Sequence, residues 1–458
     1  MKRVLTFSGI VFVIALIDCH QEPVEGSYLA VSSTPQGADV YIDDSLTEYQ
    51  TNCVIPDIEP GEYKISLKLY DFPEWSTVVK VEEGETTKVA GIFPINEGTI
   101  KWVYPIGDYY RGYQPAIGPD GTVYLYKGDL FALNPDGSVK WTYSAQGGSY
   151  WATIGSDGSI YFGQIENEIA EICALTSSGS LRWEYQADSA DKISSVSIGA
   201  DATIYFSTIH YSWTPNYFPI SWLYALTSDG SLKWKREITY ASTPTIGADG
   251  TIYVGCHDYL YAFDPSGSLK WAFQRGTTPP AIGSDGTLYF GSGDDLCALN
   301  PNGTLKWRYQ TIGPTYQPAI GPDGTIYVGS TTYDPEYNPY ASSLFAITPS
   351  GHLKWSLSLS SDDYISHIES TPAVGVDGMV YITHYPLGLC AFDENGNLKW
   401  NLDEVWSYSS PAIADDGTLY IAGYDGLYAI QTTSFGLASS PWPKFAHDNQ
   451  NTGRWGGP

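Results

Sequence analysis

Between residues 99 and 430 one pattern of apolar and polar positions recurs along the chain. In its first full copy a short apolar run, Pro115-Ala116-Ile117, ends at Gly118-Pro119-Asp120-Gly121. Two alternating runs follow, Thr122-Val123-Tyr124-Leu125-Tyr126 and Asp129-Leu130-Phe131-Ala132-Leu133, then a second turn, Asn134-Pro135-Asp136-Gly137, and a last run, Val139-Lys140-Trp141. Period-two alternation over short runs predicts strands. The Pro-Asp-Gly tetrapeptides predict tight turns, because Pro presets φ near about −65° and Gly accepts a positive φ. Each copy should therefore give four antiparallel strands whose register is fixed locally.

The Lys/Arg-Trp ending recurs at Trp102, Trp141, Trp183, Trp234, Trp271, Trp307, Trp355 and Trp400. An aromatic or Cys followed by Ala recurs in step with it, placing Ala at 132, 174, 225, 262, 298, 346, 391 and 429. The spacing, ~43 residues, is that of propeller blades. The expected fold class is all-β: an eight-bladed β-propeller over residues 99–430, preceded by a small β-sandwich. Thr99-Ile100-Lys101-Trp102 precedes the first copy, and the last copy, ending at Leu427-Tyr428-Ala429-Ile430, has no Lys-Trp run after it. The N-terminal strand is therefore expected to complete the eighth blade and close the ring, which would pair both exposed edges. The eight Trp side chains are expected to pack between blades. Cys173, Cys297 and Cys390 stand where other copies have Phe or Tyr, and read as buried thiols in non-adjacent blades. Cys53 and Cys256 have no obvious partner.

Ahead of the array, residues 26–93 show four alternating runs with turn residues between them, enough for a sandwich near the lower size limit of an independent core. Pro35-Gln36-Gly37-Ala38 before Val40-Tyr41-Ile42-Asp43, then Pro60-Gly61-Glu62-Tyr63, resembles the PEGA domain family over this whole segment. The resemblance implies a surface-associated β module with no catalytic set, used as a spacer or for docking. Residues 1–19 have the form of an export signal: Met1-Lys2-Arg3, then an apolar run from Val4 to Ile17, too short to span a bilayer comfortably. Leu16-Ile17-Asp18-Cys19 resembles a bacterial lipobox, which would make Cys19 the acylated residue; Asp18 departs from the small residue expected there, so a conventional signal with an incidental Cys stays open. Any membrane attachment is expected through that lipid alone.

Composition changes the picture in one respect. With 23 basic and 51 acidic side chains the formal charge is −28, so a nucleic-acid backbone would be repelled. Nucleic acid is excluded as a partner.

Ala132-Leu133-Asn134-Pro135-Asp136-Gly137-Ser138-Val139-Lys140-Trp141 and its copies resemble the PQQ-like repeat of quinoprotein-like eight-bladed propellers. That family contains dehydrogenases dependent on pyrroloquinoline quinone and calcium, and also non-catalytic envelope lipoproteins. The dehydrogenases commonly carry vicinal cysteines against the cofactor, which this chain lacks, and no cluster of Arg or Lys suits a tricarboxylate. The resemblance thus implies a non-catalytic envelope protein that needs no cofactor or metal. A quinone- and calcium-dependent dehydrogenase, or a glycan-active propeller enzyme with two carboxylates across the channel, is the alternative. Residues 431–458, with Pro441-Trp442-Pro443-Lys444-Phe445, are expected to cap the ring; His447-Asp448 has no nucleophile elbow or metal motif beside it.

In a four-stranded blade both tight hairpins lie on one face of the disc. The other face carries the connections of variable length, where binding residues concentrate. Tyr113, Gln114, Tyr150, Trp151, Tyr316, Gln317, Trp406 and Tyr408 precede inner strands and are expected at the channel mouth on that face. Flat rings beside amides suit an envelope protein or a glycan as partner.

Overall fold

The computed structural model describes residues 27–454 apart from 35–36, 70–73, 93–95, 107–112, 146–150, 167–168, 212–218, 276–277, 335–338, 360–365 and 369. The export signal with Cys19, Tyr150, and the Pro35-Gln36 half of the PEGA-like tetrapeptide lie outside the described residues. The described residues are all-β, and the chain divides into two compact units, Met1–Pro94 and Ile95–Pro458.

The first unit holds two sheets. Tyr28–Thr34 pairs with Cys53–Ile55 on one side and, in parallel, with Thr86–Ile92 on the other. A four-stranded sheet runs in the order Ser45–Gln50, Asp39–Ile42, Gly61–Lys68, Trp75–Val81. Inward residues Leu29, Val31, Val40, Ile65, Leu67 and Val89 form its core.

The second unit contains eight sheets built alike. In the first, Ala116–Ile117, Val123–Lys127, Asp129–Leu133 and Val139–Tyr143 lie side by side in chain order, all antiparallel. The sheets that follow keep this order, with a short extra strand, Lys192–Ile193, in the third. In the last, Ala412–Ile413, Thr418–Ala422 and Gly426–Gln431 come from the end of the array, and the outer position is taken by Ile100–Pro105, more than three hundred residues earlier.

The strand register explains why Ala recurs on the third strand. Tyr124 lies opposite Ala132, and Ala132 opposite Trp141, so the Tyr and Trp rings meet above the methyl group. The same row occurs in every sheet with ring centroids 5.7–6.0 Å apart, including Tyr420, Ala429 and Trp102 in the last. Any larger side chain there would part the two rings.

Each Trp also reaches the next sheet. The indoles of Trp102, Trp141, Trp183, Trp234, Trp271, Trp307 and Trp355 donate to a carbonyl in the outer hairpin of the following sheet at 2.8–3.0 Å. The Gly of that hairpin has φ between +81° and +86°, and a Cβ on it would stand 2.7–3.0 Å from the indole, so one residue serves both the turn and the seat of the ring. Trp400 rests on Gly98 in the same way, but its N–H is buried and has no hydrogen-bond partner among the described residues. Trp307→Phe is therefore expected to cost about 1 kcal/mol more than Trp400→Phe, since only the first loses a hydrogen bond; paired urea melts check this. The Lys or Arg beside seven of the eight Trp residues turns back to the inner hairpin of its own sheet, as in Lys140 to Asp120 at 2.8 Å and Lys306 to Asp285 at 2.9 Å, whereas Lys399 lies 3.8 Å from Asp393 in the outer hairpin. These exposed pairs pin the outer strand more than they stabilise it.

Apolar clusters join neighbouring sheets. One unites Ile117, Val123 and Leu125 of the first sheet with Tyr420, Leu427 and Ala429 of the last. Cys173, Cys297 and Cys390 are buried free thiols inside such clusters, Cys256 is likewise buried, and Cys53 is partly exposed; burial pushes the Cys173 thiol up to about 12.

Candidate binding site

The inner strands are only two residues long, and each ends at an Ile or Val whose N–H the sheet does not use. Residues 442–453 supply partners for most of these groups. Carbonyls of Trp442, Pro443, Asn449, Gln450, Thr452 and Gly453 accept from Ile320, Val374, Ile117, Ile154, Ile198 and Ile246, at 2.6–3.0 Å. The Asn449 side chain bonds both the N–H and the carbonyl of Ile413. The segment thus visits the sixth, seventh, eighth, first, second, third and fourth sheets in turn, and Trp442 is fully buried with Ile282 of the fifth and Ile320 of the sixth. Within it Lys444, 1% exposed, donates to the Asp448 carbonyl and to Asn451 Oδ1. Burial pushes the Lys444 ammonium down to about 7, against the attraction of Asp448. Burial would raise the Asp448 carboxyl, but hydrogen bonds from His447 and Thr452 hold it below its ordinary value.

This arrangement does not fit a tricarboxylate quinone. The buried cation among the inner strands is already engaged by neighbours in its own segment, and seven of the eight inward N–H groups are already bonded to that segment. Among the described residues no group of three or more His, Cys, Asp or Glu is placed to hold a metal.

The structure separates the residues expected at the channel mouth. Trp151, expected as a contact, is turned inward, its ring edge-to-face with Phe445 at 4.6 Å. Gln114 is buried and accepts from the Ser410 N–H, tying the first sheet to the eighth, and Gln317 is also buried. All three side chains are buried. Tyr113 is half-buried against the first and eighth sheets, and Tyr316 is hydrogen-bonded to Tyr333 through their hydroxyls. Trp406 and Tyr408 are different, at 49% and 38% exposed.

They border a cavity of about 160 Å³ between the seventh and eighth sheets, on the side away from the tight hairpins, lined by His367, His384, Tyr385, Trp406, Ser407, Tyr408 and Tyr424. His367 precedes the inner strand of the seventh sheet, and its backbone pairs with that of Tyr385, in the turn after Val380–His384. Its ring is stacked between Tyr385 and Tyr408, centroids 5.3 and 5.6 Å away and both pairs within 9° of parallel. Trp406 meets Tyr385 edge to face, and its carbonyl accepts from the Tyr424 N–H. Tyr424, 41% exposed, sits in the tight turn between the second and third strands of the eighth sheet.

His367 is 9% exposed and its Nδ1 is buried with no hydrogen-bond partner among the described residues. Burial pushes its pKa down. His384 lies beneath, its Nε2 within 3.0 Å of the Ser342 and Ser366 hydroxyls. Burial, reinforced by His367, pushes it down to about 4. Both rings are therefore neutral at pH 7. The folded protein resists protonating His384 while the unfolded chain accepts the proton near pH 6.5, so this group's contribution is intact above 6.5 and is lost as the pH falls to 4. The loss should reach about 3 kcal/mol; thermal melts against pH check it, and a His384→Gln variant should show a flatter slope over that window.

The sequence singled out neither histidine, because their spacing matches no ligand motif. Tyr424 was not singled out either, since nothing in its sequence surroundings marks it as part of a site.

Comparison with known proteins places this geometry in a class. The structure of BamB from Moraxella catarrhalis is similar over 72% of this chain and 98% of its own, with a TM-score of 0.53 and 16% sequence identity. The Dos1 propeller aligns over 72% of this chain and 96% of its own at 13% identity, with a TM-score of 0.49. The second unit is a β-propeller. Residues 219–434 match the family profile described as outer membrane protein assembly factor BamB, and residues 27–96 match the PEGA domain. The chain therefore carries PQQ-like propeller repeats behind an N-terminal PEGA domain. No curated protein matches it.

Proposed function

We propose that the eight sheets are blades of one closed ring, and that the protein is a non-catalytic binding or scaffold component of the cell envelope that recognises a protein or glycan through its loop face. Closure is supported by the path of residues 442–453, which passes from the eighth sheet to the first without a break, and by Gln114 and Trp102 bonding across that junction. Residues 1–19 would direct export, with Cys19 as the lipid anchor. Residues 26–93 would act as a spacer or docking module, and residues 431–458 would cap the ring. The family description, an outer membrane assembly factor, favours a protein-binding scaffold of the envelope.

The observation that carries the reading is the exposed aromatic patch of Trp406, Tyr408 and Tyr424 around a cavity, since rings left in solvent on a variable face cost solubility unless something covers them. Capture from solubilised envelope should be compared between the full chain and a Trp406→Ala/Tyr424→Ala variant. A component retained by the parent and lost by the equally stable variant is the expected result. Retention of the same components by both would move the working surface elsewhere.

A further inference from the structure

A second groove lies between the fifth and sixth sheets, again on the side away from the tight hairpins. The chain crosses here from the outer strand Leu305–Gln310 to the inner strand Ala319–Ile320, and its exposure alternates: Thr311, Gly313 and Thr315 are buried, whereas Ile312, 41% exposed, and Pro314 face solvent. The groove measures about 560 Å³, within the ~300–1,000 Å³ range of ligand sites. Asp294, in the turn between the second and third strands of the fifth sheet, lines it from one sheet, and Asp334, just after the second strand of the sixth, lines it from the other. Hydrogen bonds fix the crossing before anything binds. The Thr311 N–H and hydroxyl both donate to the Asp294 carbonyl at 2.8 Å, Ser330 Oγ donates to the Gly313 carbonyl at 2.7 Å, and Thr332 Oγ1 donates to the Ile312 carbonyl at 3.1 Å. A preformed surface lowers the ordering cost of binding.

The charges of this groove have one sign. Among the described residues none of its lining side chains is cationic. Arg275 and Arg308 are both directed to the neighbouring Asp295, at 2.7 and 3.7 Å, and the Asp294 carboxylate has no ion-pair partner among the described residues. A small free cation would gain only an exposed ion pair, worth little in water, and would leave Ile312 and Pro314 uncovered. Anionic lipid headgroups would be repelled by the carboxylates and by a chain of formal charge −28. Lysine and arginine meet both demands, since their aliphatic stems cover apolar surface while their heads reach a carboxylate.

From a rigid apolar strip set between carboxylates of two sheets, we infer that this groove docks a cationic segment of a partner protein, aliphatic groups on Ile312 and Pro314 and a lysine or arginine head on Asp294. The inference rests on the loop-face reading above and names a partner chemistry for it.

The test uses the full chain and a blocked pentapeptide alternating lysine with leucine, compared by calorimetry with the same peptide carrying serine or glutamate in place of lysine. The lysine peptide should bind at roughly millimolar concentration or below, weaken as salt is raised, and exceed both other peptides by about tenfold or more. Asp294→Asn and Ile312→Ser should each weaken it by about fivefold, and together by about tenfold or more, with the melting temperature close to the parent's because both side chains are exposed. Glu237→Gln, which removes an equally exposed charge from the third sheet, should leave the affinity unchanged.

The inference is overturned if the lysine peptide fails to bind, if the serine peptide binds as well, or if the double variant binds like the parent. It is equally overturned if Glu237→Gln weakens binding as much as Asp294→Asn, since the attraction would then belong to the charge of the whole chain. Should any of these results appear while envelope capture still depends on Trp406 and Tyr424, the groove assignment falls and loop-face recognition stands. Should capture be indifferent to those residues as well, both readings fall together.

Discussion

Removal of residues 441–458 is expected to lower the melting temperature of the propeller by roughly 10 °C or more, the largest effect among changes that leave every sheet intact. The segment contributes six backbone acceptors to inner-strand N–H groups, and its Trp442 is fully buried. Each backbone bond is worth about 1 kcal/mol net, and loss of a buried Trp side chain about 3–5 kcal/mol. The contributions are not additive, because water would enter the vacated space beside the inner strands and solvate some of the freed amides. Several kcal/mol nevertheless remain, against a typical domain stability of about 5–15 kcal/mol. Differential scanning calorimetry of the full chain, the truncated chain and Trp442→Ala separates packing from hydrogen bonding, with Trp442→Ala falling between the other two. An unchanged midpoint in the truncated chain would show that the segment merely lies on the inner strands without holding them.

Deleting residues 99–104 should have a different signature, loss of cooperativity. The deletion removes most of the outer strand of the eighth sheet, and with it Trp102, whose indole bonds the Pro135 carbonyl of the first sheet. The Tyr420–Ala429–Trp102 row is broken, and the strand Gly426–Gln431 becomes an open edge. Open edges template pairing with other chains. The first and eighth sheets should then unfold ahead of the others, giving an early transition, protease cleavage within residues 412–431 and a tendency to associate. Urea unfolding followed by both tryptophan fluorescence and limited proteolysis reports this. A single cooperative transition at the parent midpoint would count against ring closure through this strand.

Much of the second unit was legible because its information is local. A Pro-Asp-Gly turn restricts φ within four residues, alternation fixes which face of a strand is buried, and Gly four residues before Trp closes each outer hairpin. Repetition multiplied that signal by eight. The recurring Ala could be seen in the sequence, but its reason, the meeting of Tyr and Trp rings above it, appears only when the three strands are in register. Trp400 likewise reads as one of eight equal residues, and only the structure shows that its N–H, unlike the other seven, has no hydrogen-bond partner among the described residues.

The binding face was less legible. Trp151 and Trp406 have similar sequence surroundings, both just ahead of inner strands, yet one is buried by Phe445 and the other stands half in solvent. Nothing within ten residues of either decides this, since the covering group lies almost three hundred residues away from Trp151. His367 and His384 are distant from any motif and reach one cavity because His367 bridges to Tyr385 and the next sheet brings Trp406 and Tyr408 over them. The course of residues 442–453 around seven sheets has no periodicity of its own; six of its carbonyls accept from inner-strand N–H groups that only the assembled sheets present. The sequence by itself determined the repeated unit, its turns and its packing rings, because backbone torsion and strand alternation act over a few residues. The tertiary structure decided which loop aromatics stay exposed, which histidines meet and what covers the inner strands, because burial depends on segments that the fold alone brings together.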